Sequence, residues 1–144
     1  MTEGESLFGE EHVRRYRETG GKVGHVWREG STVLLLTTVG RTSGQKRTTP
    51  LIYARDGDRF VIVASKGGAP EHPGWYRNLE KNPAVELQVE DAVFPARART
   101  AKGEERQRLW RKANAVWPHY DEYAKKTTRE IPVVVLERVP GASG

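Results

Sequence analysis

The chain has 144 residues, no cysteine and a formal net charge of +5 at pH 7. The absence of cysteine excludes disulfides, thiolate nucleophiles and cysteine-bound metals, and the apolar stretch 33–36 is far shorter than the roughly 20 residues that cross a bilayer. The length suits one domain over 1–144, and the positive charge favours an anionic partner such as nucleic acid, anionic lipid or a polyanionic cofactor.

The ends of the chain lead to an expectation about its location. Residues 1–10 are acidic and lack the basic start and apolar run of a secretory signal, so we expect a cytoplasmic protein. We expect flexible ends over 1–6 and 140–144, with a barrel over about 32–139 between them.

The predicted elements begin with a helix and three strands. Residues 9–19 space Val13 and Tyr16 three apart among charges, which is typical of a surface helix with a thin apolar stripe. β-Branched and apolar residues then predict three strands, over 32–39, about 47–54 and 60–64.

The second half of the chain mixes helices and strands without the βαβ rhythm of a parallel sheet. Its predicted elements are, in order, a short helix over 73–82, strands over 85–90 and 93–100 joined at Asp91-Ala92, a helix over 103–117, a helical turn after Pro118 and a strand over 131–139. Mostly antiparallel strands with inserted helices favour an α+β or mainly β fold, a small β-barrel of six or so strands with flanking helices.

The first candidate site is the loop GRTSGQKR over 40–47, between two predicted strands. Arg41 and Arg47 can each make forked contacts to phosphate or carboxylate oxygens, and Lys46 adds a point charge. The alternative is an ordinary solvated hairpin with surface cations.

The second candidate is Ser65-Lys66-Gly67-Gly68, which directly follows an apolar strand. A glycine-rich turn can aim backbone N–H groups at an anion. The chain has neither GxxxxGK[ST] nor a GxGxxG after a strand, which argues against a P-loop and a Rossmann nicotinamide site. The alternative is a plain glycine loop leading into a helix.

The third candidate is aromatic, and comprises Trp75, Tyr76, Trp117, Tyr120 and Tyr123. The last three are spaced by three residues, which predicts one face of a helical turn. Such rings can wall a flat heterocycle, and a tyrosine hydroxyl can donate a proton. Core packing is the alternative, although the polar neighbours of Tyr120 and Tyr123 argue against their full burial.

Metal and hydrolytic chemistry find no support in the sequence. The histidines are scattered, without a pair at the three- or four-residue spacing of helical metal ligands, and no Ser–His–Asp motif stands out. We therefore expect no metal.

Long strings resemble one family. LLLTTVGRTSGQKRTTPLIYARDGDRFVIVASKGG, HPGWYRNLEKNP and REIPVVVLE occur in the order found in the deazaflavin (coenzyme F420)-dependent nitroreductase family. The resemblance covers about 33–137. It implies a split β-barrel related to FMN-binding oxidases, and a reductase that passes a hydride from reduced F420 to a quinone, a nitroaromatic or an activated C=C bond.

The resemblance also implies where the coenzyme binds. Arg41 and Arg47 match the family's arginines for the coenzyme's phosphate and oligoglutamate tail. Thr42 stands where many members carry a lysine, a contact for which Lys46 is the replacement. Lys66 matches the family's lysine after the third strand, and with Arg41 and Arg47 it is expected to hold the tail. The residues expected beside the deazaflavin ring are Ser65, Gly67, Trp75, Tyr76 and Asn78.

The acceptor site is implied in the same way. Trp117, Tyr120 and Tyr123 fall where family members place aromatics, chiefly tyrosines, around the acceptor. Tyr120 matches a tyrosine that protonates or orients the acceptor, so Tyr120, Tyr123 and Ser65 are the expected catalytic residues. Trp117 replaces a common tyrosine, which removes a hydroxyl from the acceptor pocket.

Alternatives remain open at this stage. The same barrel with FMN, or a non-catalytic F420 carrier, is compatible with these residues. Nucleic acid is disfavoured because Arg97 and Arg99 share a strand face without aromatic neighbours. Weak peripheral membrane contact stays open, since Val13 and Tyr16 form too thin an apolar face to argue for it. The choice between monomer and homodimer also stays open.

Overall fold

A computed structural model describes residues 7–139, so the ends expected to be flexible, 1–6 and 140–144, lie outside the described residues. Within 7–139 the helices are α1 (Gly9–Thr19), α2 (Gly74–Lys81), α3 (Gly103–Val116) and α4 (His119–Lys125). The strands are β1 (Val33–Val39), β2 (Lys46–Ile52), β3 (Ala54–Asp56), β4 (Arg59–Val63), β5 (Ala84–Val89), β6 (Ala92–Thr100) and β7 (Val133–Arg138).

All strands belong to one antiparallel sheet with the order β2-β1-β5-β6-β7-β4-β3. Its two outermost strands, β2 and β3, are consecutive in the chain and separated by Tyr53 alone. The sheet must therefore curl until its edges meet, because a single residue cannot span a flat sheet. The result is the predicted barrel with flanking helices.

The predicted strand 47–54 is in fact two strands, which explains seven strands where six or so were expected. Tyr53 lies between them, with its N–H donating to the carbonyl of Thr32 at 3.0 Å and its hydroxyl 2.8 Å from Nε2 of His25. These bonds hold the bend at which the chain passes from one edge of the sheet to the other. Residues outside the strand itself set the break, so local propensity did not indicate it.

The turn predicted at Asp91-Ala92 is wrong by one residue. Val89 pairs with Ala92, and Glu90 adopts the left-handed conformation with φ of 55°. The turn is therefore Glu90-Asp91. By contrast, Pro132 precedes the first residue of β7, as the restriction of proline to strand starts and edges predicts.

β1 is buried on both faces, which accounts for its continuous apolar sequence. Leu34 and Leu36 point into the barrel, whereas Val33 and Leu35 pack under α1 against Tyr16. The Tyr16 hydroxyl donates to the carbonyl of Val33 at 2.9 Å and accepts from the N–H of Glu90 at 2.8 Å. α1 is thereby fixed over β1. No helix within residues 7–139 combines the length and apolar character needed to cross a membrane.

Candidate functional site

Two neighbouring cavities contain most of the predicted site residues. The first, here called the basic cavity, has a volume of about 330 Å³ and is lined by Thr38, Gly40, Arg41, Thr42, Ser43, Arg47, Thr49, Gly74, Trp75 and Asn78. The second, here called the aromatic cavity, has about 410 Å³ and is lined by Phe8, Trp27, Arg28, Pro50, Leu51, Ile52, Val63, Ser65, Lys66, Gly67, Pro73, Trp75, Trp117, Tyr120 and Tyr123. Trp75 lines both, so the cavities adjoin.

Arg41 is held in the basic cavity by α2. Its backbone N–H and its Nη1 both donate to Oδ1 of the buried Asn78, at 3.2 and 2.9 Å. Asn78 in turn donates to Oγ1 of Thr38 at 3.2 Å, and Lys81 donates to the carbonyl of Arg41 at 2.7 Å. These bonds therefore fix the loop 40–45 at Arg41, the residue whose guanidinium lines the cavity.

Arg47 adds a second guanidinium to the same cavity. It lies on β2 opposite Thr38 of β1, and its side chain is exposed. None of the described residues lining this cavity is acidic, while several carry hydroxyl groups. Two guanidinium groups among hydroxyl and amide donors form a suitable donor set for phosphate and carboxylate oxygens.

Aromatic rings wall the second cavity. Trp27 and Trp117 stack with their centroids 5.7 Å apart, and Tyr120 meets Tyr123 edge to face at 6.2 Å. The Trp117 indole also donates to the Tyr123 hydroxyl at 3.3 Å. This arrangement offers flat apolar faces with phenol groups among them, the surface that a planar ring system needs.

Two expectations about these aromatics are corrected. Trp117, Tyr120 and Tyr123 do not share one helical face, because Trp117 directly follows α3 as its C-cap and only the tyrosines belong to α4. The three nevertheless meet in the aromatic cavity. Tyr120 is buried, with 5% of its surface exposed, because it packs against α3 at Trp110 and against Ile131. Burial raises the pKa of Tyr120 further above neutral, which favours the protonated phenol.

The glycine loop brings Ser65, Lys66 and Gly67 to the aromatic cavity. Lys66 has a φ of 46°, a left-handed conformation that is costly for a residue with a side chain. At Gly68 a Cβ atom would lie 2.7 Å from the carbonyl oxygen of Tyr123. Glycine is therefore required there for the loop to lie against α4.

Arg129 holds this loop in place and was missed by sequence reasoning. Its guanidinium donates to three backbone carbonyls, those of Ala64 at 3.2 Å, Ser65 at 2.8 Å and Ala69 at 2.8 Å, and lies 2.9 Å from Nδ1 of His72. Arg129 opens the string REIPVVVLE, but nothing local indicates partners about sixty residues away. Trp27 and Pro50 were missed for the same reason.

Three predicted site residues do not lie where they were expected. Lys66 lines the aromatic rather than the basic cavity, and its Nζ donates to Glu71 at 3.0 Å. Tyr76 is in the barrel core, with its hydroxyl 2.8 Å from Oγ1 of Thr100, and lines neither cavity. Lys46 is exposed at the start of β2 and also lines neither. No three His, Asp or Glu side chains within residues 7–139 are grouped as metal ligands.

Solved structures define the class of fold. HutZ, described as a heme storage protein of Vibrio cholerae, is 15% identical with a TM-score of 0.61, and the match covers 94% of this chain and 93% of that one. At that identity the likeness concerns the fold alone. The architecture is that of the flavin-reductase-like split barrel, as predicted.

More similar proteins define the family. The model of the family described as F420H(2)-dependent quinone reductase matches residues 8–138. An F420H(2)-dependent quinone reductase of Mycobacterium tuberculosis is 45% identical over 130 residues, which are 88% of this chain and 87% of that protein. The chain belongs to this F420H(2)-dependent quinone reductase family, which confirms the predicted deazaflavin-dependent membership.

Two solved structures resemble the chain at a similar level. An F420-H2 dependent reductase, FDR-A, is 45% identical with a TM-score of 0.69, over 73% of this chain and 93% of that one. A second structure, described as a domain-swapped dimer, is 41% identical with a TM-score of 0.71, over 89% of this chain and 95% of that one.

Proposed function

We propose that the protein binds reduced coenzyme F420 and transfers its hydride to a quinone. The observation that carries this proposal is the contact of a basic and an aromatic cavity at Trp75. A coenzyme with an acidic tail and a flat redox ring needs both surfaces within reach of one molecule. Membership of the F420H(2)-dependent quinone reductase family supports the same assignment.

The basic cavity would hold the coenzyme's phosphate and acidic tail. Arg41 and Arg47 supply forked donors, Thr42 lines the same wall, and Asn78 keeps the Arg41 guanidinium aimed into the cavity. A charge-assisted hydrogen bond contributes roughly 1.5–3 kcal/mol. Lys46 lies outside this cavity and would act on the tail only as a distant charge.

The aromatic cavity would hold the ring and the acceptor side by side. The bound coenzyme supplies the hydride. The protein has to orient both rings and exclude water. Trp75 and Trp117 form walls of the cavity, and Ser65 and Gly67 line it from the loop that Arg129 holds. Trp117 in place of the family's common tyrosine makes that wall apolar.

Tyr120 is the residue proposed to deliver the proton. Reduction of a quinone to a hydroquinone needs a proton as well as a hydride, and the Tyr120 phenol, which lines the cavity and is protonated at neutral pH, can donate one. Tyr123 lies beside Tyr120 and lines the same cavity, so it is placed to orient the acceptor or relay the proton. Nitroaromatics and activated C=C bonds are flat acceptors that the same walls would admit.

Titration and turnover test the proposal together. Mixing the protein with F420 at low salt should quench or shift the deazaflavin fluorescence, and adding a naphthoquinone should oxidise the reduced coenzyme. Stronger binding of FMN than of F420 would favour the flavin alternative. Tight F420 binding without turnover on any acceptor would favour a carrier.

The variant Tyr120→Phe tests the proton donor. We expect kcat for quinone reduction to fall by about 100-fold, with F420 affinity nearly unchanged, because only the transferable proton is removed. Tyr76→Phe is the matched control, since that hydroxyl bonds Thr100 in the core and lines neither cavity. Equal losses of kcat in the two variants would remove Tyr120 from this role.

A further inference from the structure

A third cavity lies between α1 and the strands β1 and β2. It has a volume of about 270 Å³, is here called the apolar cavity, and is lined by Phe8, Gly9, His12, Trp27, Val33, Thr49, Pro50 and Ile52. Half of this lining also belongs to the aromatic cavity, namely Phe8, Trp27, Pro50 and Ile52. The two cavities are therefore separated by shared side chains and not by the sheet.

The apolar cavity presents mainly carbon. His12 is 2% exposed, its Nε2 lies 2.8 Å from the carbonyl oxygen of Gly24, and burial lowers its pKa, which keeps the ring neutral. The indole N–H of Trp27 donates to the carbonyl of Leu7 at 3.0 Å, so it does not point a free donor inward. None of the described lining residues is acidic, lysine or arginine.

We propose that the apolar cavity binds the hydrocarbon tail of a lipid quinone whose ring lies in the aromatic cavity. This inference rests on the proposed function. The apolar cavity continues the acceptor site through shared walls, which favours the tail of the same molecule, whereas a separate ligand would need no such connection. A cavity of about 150 Å³ lined by aliphatic and aromatic groups holds benzene, so 270 Å³ has room for roughly ten carbon atoms.

Phe8 extends the apolar surface at the open side of this cavity. It directly precedes α1, lines both cavities and exposes 74% of its surface. A large exposed aromatic at the mouth of an apolar cavity is the expected contact for a chain that leaves the protein there. Because Phe8 is so exposed, its replacement should leave folding intact.

Two quinones with the same ring test the inference. One is 2-methyl-1,4-naphthoquinone without a tail, and the other carries a ten-carbon isoprenoid tail on that ring. We expect kcat/KM to be at least about tenfold higher for the tailed quinone, mainly through KM, since each buried methylene contributes roughly a factor of four before ordering costs. Phe8→Ser should reduce the ratio of the tailed to the tailless value about fivefold, because any contact of Phe8 with the ring in the aromatic cavity is common to both quinones and only the tailed one loses its tail contact.

Val93→Ser is the matched control. Val93 lies on β6, exposes 57% of its surface and lines none of the three cavities. It should lower neither value by more than about twofold. Equal kcat/KM for the two quinones in the unaltered protein, or equal losses in Phe8→Ser and Val93→Ser, would overturn the inference.

A binding measurement separates this inference from the proposed function. Quinones quench tryptophan fluorescence, so dissociation constants of both compounds can be obtained without coenzyme or turnover. A tail preference that shrinks several-fold in Phe8→Ser supports the tail site even if F420H2 is not oxidised, a result that would refute only the proposed function. A preference that varies with protein concentration would instead point to a neighbouring copy of the chain in the apolar cavity and refute the tail site.

Discussion

Two groups of basic side chains in this molecule use their charge in opposite ways. Around Asp56, Arg108 donates two hydrogen bonds at 2.8 and 3.2 Å, Lys112 lies at 3.3 Å, and Arg59 makes a further bond. In the basic cavity Arg41 bonds to a neutral amide, and none of the described lining residues is acidic.

The difference lies in where the counter-charge comes from. Hydrogen bonds from Arg108 and then Arg59 and Lys112 hold the pKa of Asp56 well below its usual range, so those cations serve the fold. Arg41 and Arg47 are positioned without such a carboxylate, so their charge remains available to a ligand. All are drawn from the same 24 basic residues, and residue type does not distinguish the two uses.

The largest expected effect comes from emptying the basic cavity of charge. The double variant Arg41→Ala/Arg47→Ala should weaken F420 binding by at least about 100-fold, because two charge-assisted contacts of roughly 1.5–3 kcal/mol each are lost. Fluorescence titration at fixed salt measures it. Arg108→Ala, which removes a cation from the Asp56 group, should change the dissociation constant less than about twofold. A comparable loss there would show that the Asp56 cations also act on the coenzyme.

Asp56→Asn should have the next largest effect, and on stability rather than binding. Asp56 is 10% exposed, and replacing its charge should lower the free energy of unfolding at pH 7 by about 2 kcal/mol. Because the folded-state pKa is lowered, this contribution is complete above the unfolded-state pKa of about 3.9 and is lost as the pH falls from there.

Urea unfolding at pH 7 and at pH 3 measures this difference, which should shrink at the lower pH. Asp58→Asn, on the same hairpin and exposed, is the control and should stay within about 0.5 kcal/mol. A difference that grows as the pH falls would contradict the assignment.

Asn78→Asp should convert one kind of group into the other. It places a carboxylate where Oδ1 now accepts from Arg41 at 2.9 Å, which supplies an internal counter-charge. We expect F420 affinity to fall about tenfold and its salt dependence to weaken, since part of the guanidinium charge is neutralised. Asn82→Asp makes the same charge change outside the three cavities and should leave both quantities nearly unchanged.

Lys46→Ala should have the smallest effect. Lys46 is exposed and lines neither the basic nor the aromatic cavity, so its charge acts on a bound tail through solvent. The dissociation constant for F420 should change by less than about twofold at 0.15 M salt. A larger loss would mean that the tail runs beyond the cavity toward the start of β2.

Much of the local structure could be predicted because its causes are local. Charged residues around Val13 and Tyr16 indicated α1 over 9–19, and alternation of apolar and polar residues indicated β5. The break at Tyr53 could not be predicted in this way, because it is held by His25 and Thr32 from another part of the chain. The burial of Tyr120 depends similarly on packing against α3.

The candidate site likewise has features with local causes, which could be predicted, and features set by distant contacts, which could not. Each loop that carries it was recognisable from glycines, cations or aromatics, and the family resemblance assigned roles to single residues. Contacts between distant segments place Arg41 and Arg47 at one cavity and Lys66 at the other. Such contacts also let Arg129 hold the loop at Ser65.

Hydrophobic period, turn residues and side-chain type act over a few positions, so most elements and all the chemical groups of the site could be read from the sequence alone. The availability of each cation's charge and the contact between the cavities follow from the folded arrangement. Those properties depend on the partners that the curled sheet brings together, because its edge strands β2 and β3 meet at Tyr53 while hydrogen-bonded neighbours such as β1 and β5 lie far apart in the chain.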